Sequence, residues 1–268
     1  ETGLLVRGTG NILTAAYIEN KVSESSYLLK VYPMSALEFK YPLFKNKNKK
    51  SEVLIPIAQL VYSTDTSPSI EPVDEDSSTT EFDSTTLFKL RKIPGLDRQE
   101  KGLRLNAGIQ YFNEFRKNYK YNISVGQVYR NKNSKDFLQS SGLNGYESDI
   151  LLSGHISFQE DLDIASKQVY SKNFSLKRSD TSLKLTKPRY QINTSLINLV
   201  SDPSEGTSAD LKELTLNLNS SLTQNWSGKI GLRRNMVDNE NINASMGFNF
   251  RNECIDIDLS CLLYTSPS

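Results

Sequence analysis

The sequence predicts an all-β protein built from long antiparallel strands, on three observations. Apolar residues recur at every second position along several runs, no run shows the three-and-four spacing of an amphipathic helix, and polar, turn-like segments separate the runs. Between Leu103 and Tyr111 the odd positions are Leu103, Leu105, Ala107, Ile109 and Tyr111, and the even ones are Arg104, Asn106, Gly108 and Gln110. Successive strand side chains point to opposite faces, so this run is a ribbon with one oily and one wet side. Helices should be few.

In chain order, Leu37 to Leu43 is the first such run, and the lysine-rich Lys45 to Lys50 reads as a solvated hairpin tip. Residues 64 to 101 follow as a long irregular loop with Pro68, Pro72, an acidic Asp74-Glu75-Asp76 and Pro94-Gly95. Loops this long in compact proteins are usually functional or disordered. Beyond the Leu103 run come Tyr119 to Val125, a loop from Asn131 to Tyr146, and a weaker run from Leu152 to Phe158. A third loop spans Ser201 to Asp210. The last runs are Leu214 to Leu218, the weaker Ile230 to Leu232, Asn241 to Phe250, and Ile255 to Leu259. In the Asn241 run the apolar residues Ile242, Ala244, Met246, Phe248 and Phe250 alternate with Asn243, Ser245, Gly247 and Asn249.

Composition narrows the class. The 268 residues carry 32 Lys+Arg against 31 Asp+Glu, so no global field attracts nucleic acid. No apolar run approaches the roughly 18 residues of a membrane helix, and the longest, Val53 to Ala58, is interrupted by Pro56. A helical membrane protein is excluded. A membrane β-barrel is not, because its outward apolar residues alternate with polar lumen residues. Several runs span about nine or ten residues, longer than the soluble mode of about five or six and suited to a tilted membrane strand of about 9–11. Tyr111, Tyr119, Tyr121 and Phe250 stand near run ends on the apolar side, where aromatic girdles lie. On this pattern a soluble β-protein with one wet face per sheet stays open beside the barrel.

Little in the chain supports an enzyme. His155, the only histidine, lies on the polar side of its run without a GxSxG elbow, and reads as structural. The acids Glu71, Asp74, Glu75 and Asp76 lack calcium-loop spacing. Asn122-Ile123-Ser124 and Asn219-Ser220-Ser221 match the glycosylation pattern, as chance allows in an Asn/Ser-rich chain. No phosphate-cradling loop is present, and the single Trp226 offers no stacking platform for bases. No cofactor is expected. Glu1-Thr2-Gly3 begins no signal peptide, so the chain is expected to start mid-protein. Residues 261–268, Cys261 to Ser268, are read as a translated sequencing adapter, which leaves Cys254 as the one genuine cysteine.

From residue 38 to 154 a series of short motifs stands in order: Glu38-Phe39-Lys40-Tyr41-Pro42-Leu43, Ile55-Pro56-Ile57-Ala58-Gln59-Leu60, Asp74-Glu75-Asp76-Ser77, Glu81-Phe82-Asp83, Leu87-Phe88 and Pro94-Gly95-Leu96-Asp97-Arg98-Gln99-Glu100-Lys101-Gly102. Val125-Gly126-Gln127-Val128-Tyr129-Arg130, Ser141-Gly142-Leu143 and Ser148-Asp149 complete it. Together they resemble the C-terminal domain of the LptD, or organic solvent tolerance, family of lipopolysaccharide-assembly proteins. The resemblance implies a transmembrane outer-membrane β-barrel, present as a partial barrel of about 12–14 strands over residues 1–260 with the 64–101 loop. It also implies a non-enzymatic part of the translocon that inserts lipopolysaccharide into the outer leaflet of the Gram-negative cell outer membrane. Implied partners are an LptE-type lipoprotein plug, periplasmic bridge proteins acting through an N-terminal domain, lipopolysaccharide, outer-membrane lipid and no nucleic acid. A porin-like diffusion barrel and a soluble β-sandwich binding module are the alternatives.

Within the motifs, Asp76, Ser77, Gly95, Asp97, Arg98, Gly126 and Gln127 are expected to shape the structure. Gly95 suits a turn, Asp97-Arg98 an ion pair closing the loop, and Gly126 a bulge or a close backbone approach. The resemblance gives Cys254 a disulfide to a partner outside this chain, and the run Ile255 to Leu259 places it on the polar side with Asp256 and Asp258. Arg104, Asn106, Gln110, Asn243 and Asn249 are expected to face the lumen, within reach of plug or saccharide. The family barrel is about twice this size, and unpaired strand edges are costly in lipid, so an interior fragment is expected.

Overall fold

A computed structural model describes residues 4–6, 9–23, 26–47, 50–64, 82–93, 100–115, 118–134, 136–137, 141–159, 161–201 and 209–264, with side-chain exposure from Pro33 onward. Among these residues there are sixteen strands and no α-helix. The first eight are β1 Leu4–Val6, β2 Thr9–Ser23, β3 Ser26–Lys40, β4 Leu43–Lys47, β5 Lys50–Ser63, β6 Gly102–Phe115, β7 Tyr119–Ser134 and β8 Gly145–Glu147. The rest are β9 Ile150–Phe158, β10 Leu162–Tyr170, β11 Leu176–Lys187, β12 Tyr190–Leu199, β13 Leu211–Ser221, β14 Trp226–Asn235, β15 Glu240–Arg251 and β16 Asp256–Tyr264. Setting aside β1, β4 and β8, thirteen strands have nine residues or more, within the expected count.

The chain divides into two compact units, one of Glu1–Phe112, Ile123–Leu152 and Val169–Ser175, the other of Asn113–Asn122, Ser153–Gln168 and Leu176–Ser268. In the first, β2 and β3 pair antiparallel from Thr9↔Lys40 to Ser23↔Ser26. Strand β5 has two successive neighbours, β4 along Lys50–Leu54 and β3 along Ile57–Ser63. The single run expected from Leu37 to Leu43 is therefore broken, and Tyr41-Pro42 separates β3 from β4. Proline has no N–H for a ladder and is tolerated at edges and irregularities. Pro42 and Pro56 both fall where β5 changes neighbour, and there the Tyr41 N–H donates to the Pro56 carbonyl at 3.2 Å. That position also lets Val53 to Ala58 remain strand despite its proline. The expected loop at Asn131 begins later, because β7 continues to Ser134.

In the second unit, β11 to β16 form a meander in which each strand pairs antiparallel with the next. Its registers stack like on like. Leu185, Ile192, Leu218, Ile230 and Met246 make one cross-strand row, and Lys184, Asn193, Asn217, Gly231 and Ser245 make the neighbouring row on the opposite face. Such pairs are the unit of sheet stability. Trp226 meets Phe250 at 5.0 Å on the apolar side, and Tyr119 meets Phe158 at 4.5 Å. Strands β10, β11 and β12 had no sequence expectation, since residues such as Thr181 and Thr194 stand on the apolar face and blur the alternation.

Along the outward faces of β3, β5 and β6 in the first unit, burial is the reverse of a water-soluble protein. Leu37 is 54% and Tyr62 52% exposed, with Phe39, Leu60, Leu105 and Ile109 alongside them, whereas Gln59 is 1% and Asn106 0% exposed, with Glu38 and Arg104 also buried. In water the hydrophobic effect would bury the first set. The arrangement is stable where the outer solvent is hydrocarbon.

Candidate functional site

The buried face of the first unit is covered by a strap, Phe82–Ile93, from the long loop. Asp83 shapes its turn. The Asp83 carboxylate accepts the Thr85 and Thr86 N–H groups at 2.8 Å each, and the Asp83 N–H donates to the Thr86 hydroxyl at 2.9 Å. Aspartate competes well for nearby N–H groups in this way. The turn presents Leu87 and Phe88 to two glycines on the wall. A Cβ at Gly126 would collide with Leu87 Cδ2, and one at Gly108 would stand 3.0 Å from Phe88 Cζ and 2.7 Å from the Val125 carbonyl. At Gly126 the strap side chain Leu87 and the β6 backbone, with the Ala107 carbonyl 2.9 Å from a Cβ there, both come close. Phe82, Leu87 and Ile93 join Val128, Phe137, Leu143, Leu151 and Val169 in one apolar cluster, and Leu90 packs on Met34, Ala36 and Val61.

Beside this cluster lies a buried set of charges. Glu100 Oε1 accepts Arg130 Nη2 at 2.7 Å and Nε at 3.1 Å, and its Oε2 lies 3.4 Å from Arg104 Nε. The Ser63 hydroxyl donates to the Glu100 carbonyl, and Arg104 Nη2 donates to the Leu90 carbonyl of the strap. Lys92 donates to Asn106 Oδ1 at 3.0 Å, Asn106 to Gln59 Oε1 at 2.6 Å, and Gln59 to Glu38 Oε2 at 3.1 Å. The Arg130 guanidinium stands over the Phe137 ring at 5.4 Å. Burial pushes the Lys92 ammonium down to about 7, offset by Glu100 and deepened by Arg104 and Arg130. Burial pushes the Glu100 carboxyl up, but Lys92, Arg104 and Arg130 outweigh it and hold the group below its ordinary range. Burial raises the Asp136 carboxyl.

The later motifs close on the same strand. Ser148 Oγ accepts the Val128 N–H at 2.8 Å and donates to the Asp149 carbonyl at 2.8 Å, and the Asp149 N–H reaches the Gly142 carbonyl at 2.7 Å. Gln127 Nε2 donates to the Ser148 carbonyl at 2.8 Å, and the Tyr129 hydroxyl donates to Gln127 Oε1 at 2.8 Å. Gly142 has φ +73°, a conformation that glycine adopts without steric cost.

Other expected residues fall apart from this assembly. Asp76, Ser77, Gly95, Asp97 and Arg98, with the acids Glu71, Asp74 and Glu75, lie outside the described residues. Arg104 and Asn106 do stand on the wet face, but the strap seals them, so they are not on a surface that plug or saccharide could touch. Gln110 is half-buried in β6. Asn243 lies on the polar face of the second unit, as does Asn249, which donates to Asp256 Oδ1 at 2.8 Å. Cys254 is exposed in the turn before β16 rather than on a strand face. Asn252 makes that turn, its side-chain oxygen accepting the Cys254 and Ile255 N–H groups at 2.9 and 2.8 Å. His155 Nε2 lies 3.4 Å from Asp163 Oδ1 in an open groove of about 420 Å³ lined also by Lys184, Asn193 and Asn217. Sequence reasoning assigned no role to Glu38, Gln59, Lys92, Glu100 or Arg130. For the three that lie on strands the available signal was parity, since Glu38 alternates with Leu37 and Phe39, Gln59 alternates with Leu60, and Arg130 shares the side of Gly126 and Val128, whereas Lys92 and Glu100 lie outside any strand and carried none.

Long antiparallel strands with a charged buried face and an oily exposed one define a wall of an outer-membrane β-barrel. Residues 12–226 match the family model LptD, LPS transport system D, and the chain belongs to the LptD family. It is thus a partial barrel of the Gram-negative outer membrane that serves lipopolysaccharide transport and assembly, and it is not an enzyme. No curated protein matches the chain.

Proposed function

We propose that the second unit supplies the wet wall along which the saccharide part of lipopolysaccharide passes, facing an LptE-type lipoprotein plug, while its oily rows contact outer-membrane lipid. Periplasmic bridge proteins would act through a domain outside this chain. The observation that carries the reading is the pair of neighbouring rows, Lys184–Asn193–Asn217 on one face and Leu185–Ile192–Leu218 on the other. Amides and hydroxyls match the donor and acceptor chemistry of sugars, and the apolar row matches acyl chains. A photo-crosslinker at Asn217 of the intact parent protein in cells should capture the plug or the saccharide part of lipopolysaccharide, and one at Leu218 should capture lipid acyl chains but no plug and no saccharide. Capture of plug or saccharide from Leu218 and not from Asn217 would reverse the wall.

The exposure of Cys254 supports its proposed disulfide to a partner segment outside this chain, in a compartment that is oxidising. Reduction of the mature parent should release a cross-link that Cys254→Ser abolishes. A thiol at Cys254 that alkylates freely without reductant would disprove the assignment.

A further inference from the structure

The polar lumen of a barrel needs no dry core inside it, yet the first unit has one. The Phe82–Ile93 strap brings Phe82, Leu87, Leu90 and Ile93 onto the wet face, where two glycines make room for it. Apolar contact alone could hold such a strap, but charged groups are buried with it. Arg104 grips Leu90 of the strap, Lys92 of the strap grips Asn106 of β6, and Glu100 binds Arg104, Arg130 and Ser63 together. Glu100 is the only described carboxylate in contact with both guanidinium groups, which sit 2% and 4% exposed. Without it, two buried cations would face each other uncompensated, the most costly arrangement for buried charge.

We propose that the strap is a built-in constriction of the channel, and that the Glu100–Arg104–Arg130 cluster with Lys92 is the lock that holds it against the wall. Glu100 acts as a positioning residue through the two arginines. The lock rests on reading this face as the channel side.

It also has a direction in pH. Lys92 faces Glu100, Arg104 and Arg130, with Asn106 as its hydrogen-bond partner, and Asp136 and Lys101 add to the field around Glu100 and Arg130. In the closed strap the ammonium loses its proton more readily than in water. The closed state therefore binds fewer protons, gains stability as pH rises from about 7 toward the ordinary lysine range, and is at its weakest below about 7.

The test is amide hydrogen exchange and single-channel conductance on the full-length parent with its plug. In Glu100→Gln, the Thr86, Leu87 and Lys89 amides should exchange at least tenfold faster and conductance should rise, with β11 to β14 amides unchanged. In wild type, strap exchange corrected for intrinsic chemistry should be faster at pH 6 than at pH 9, and Lys92→Met should abolish that difference. Lys92→Met also decides the matter should the glutamine variant fail to assemble. Unchanged strap exchange, equal acceleration throughout β6 and β7, faster exchange without added conductance, or a pH difference that survives Lys92→Met would each overturn the lock. Failed cross-linking at Asn217 with normal strap behaviour would instead count against the saccharide path alone.

Discussion

Arginine at Ile109 should prevent or strongly weaken assembly of the parent barrel. Ile109 lies midway along β6 on the exposed oily face. An arginine at the bilayer midplane on the lipid side of a barrel costs about 2–4 kcal/mol, falling to about 0–1 near the interfaces. Leu103→Arg, at the start of the same strand, should therefore cost much less. In a water-soluble sheet both would be ordinary surface changes, within about 0.5 kcal/mol of neutral. Folding into liposomes followed by urea titration measures the difference. Equal midpoints for Ile109→Arg and wild type would contradict the lipid-facing assignment.

The second large effect belongs to Gly126. Alanine there would place its Cβ against Leu87, 2.9 Å from the Ala107 carbonyl and 3.4 Å from Gly108 Cα. Two of these neighbours are backbone atoms of the adjacent strand, which cannot yield without parting the ladder. Overpacking of a tight site typically costs about 1–3 kcal/mol, and valine should exceed alanine. Gly154→Ala is the control, since its Cβ would meet only the Asn122 carbonyl, at 3.8 Å. Adding Leu87→Ala to Gly126→Ala should recover the part due to the strap and leave the part due to the wall. Indistinguishable denaturation midpoints for Gly126→Ala and Gly154→Ala would show that the strap is not seated there.

The lipid face was readable from Leu103, Leu105 and Ile109, because in a strand the side of each residue follows from its parity, a covalent property of the backbone. The family motifs were readable as an ordered set, and in the structure Ser148 bonds to Gln127 and Val128 of β7 while Asp149 bonds to Gly142. Strands β10 to β12 were missed where serine and threonine occupy both faces. The strap was invisible for another reason. Its apolar residues follow no period of two, and their partners Val128, Leu143, Leu151 and Val169 lie far along the chain. Likewise Arg104 and Asn106 were correctly placed on the wet face by alternation, while their removal from any open surface depends on Leu90 and Lys92 lying over them.

The amino-acid order by itself determined which side of the clearly alternating ribbons, β6 and β15 above all, is oily and that such ribbons suit a membrane wall, since alternation is local and needs no partner. Only the tertiary structure decided what fills the wet side of the first unit. Loop closure there brings Glu100 to 2.7 Å from Arg130 and 3.4 Å from Arg104, with Lys92 in the same buried field, and burial then gives those charges interaction strengths that no spacing along the chain encodes.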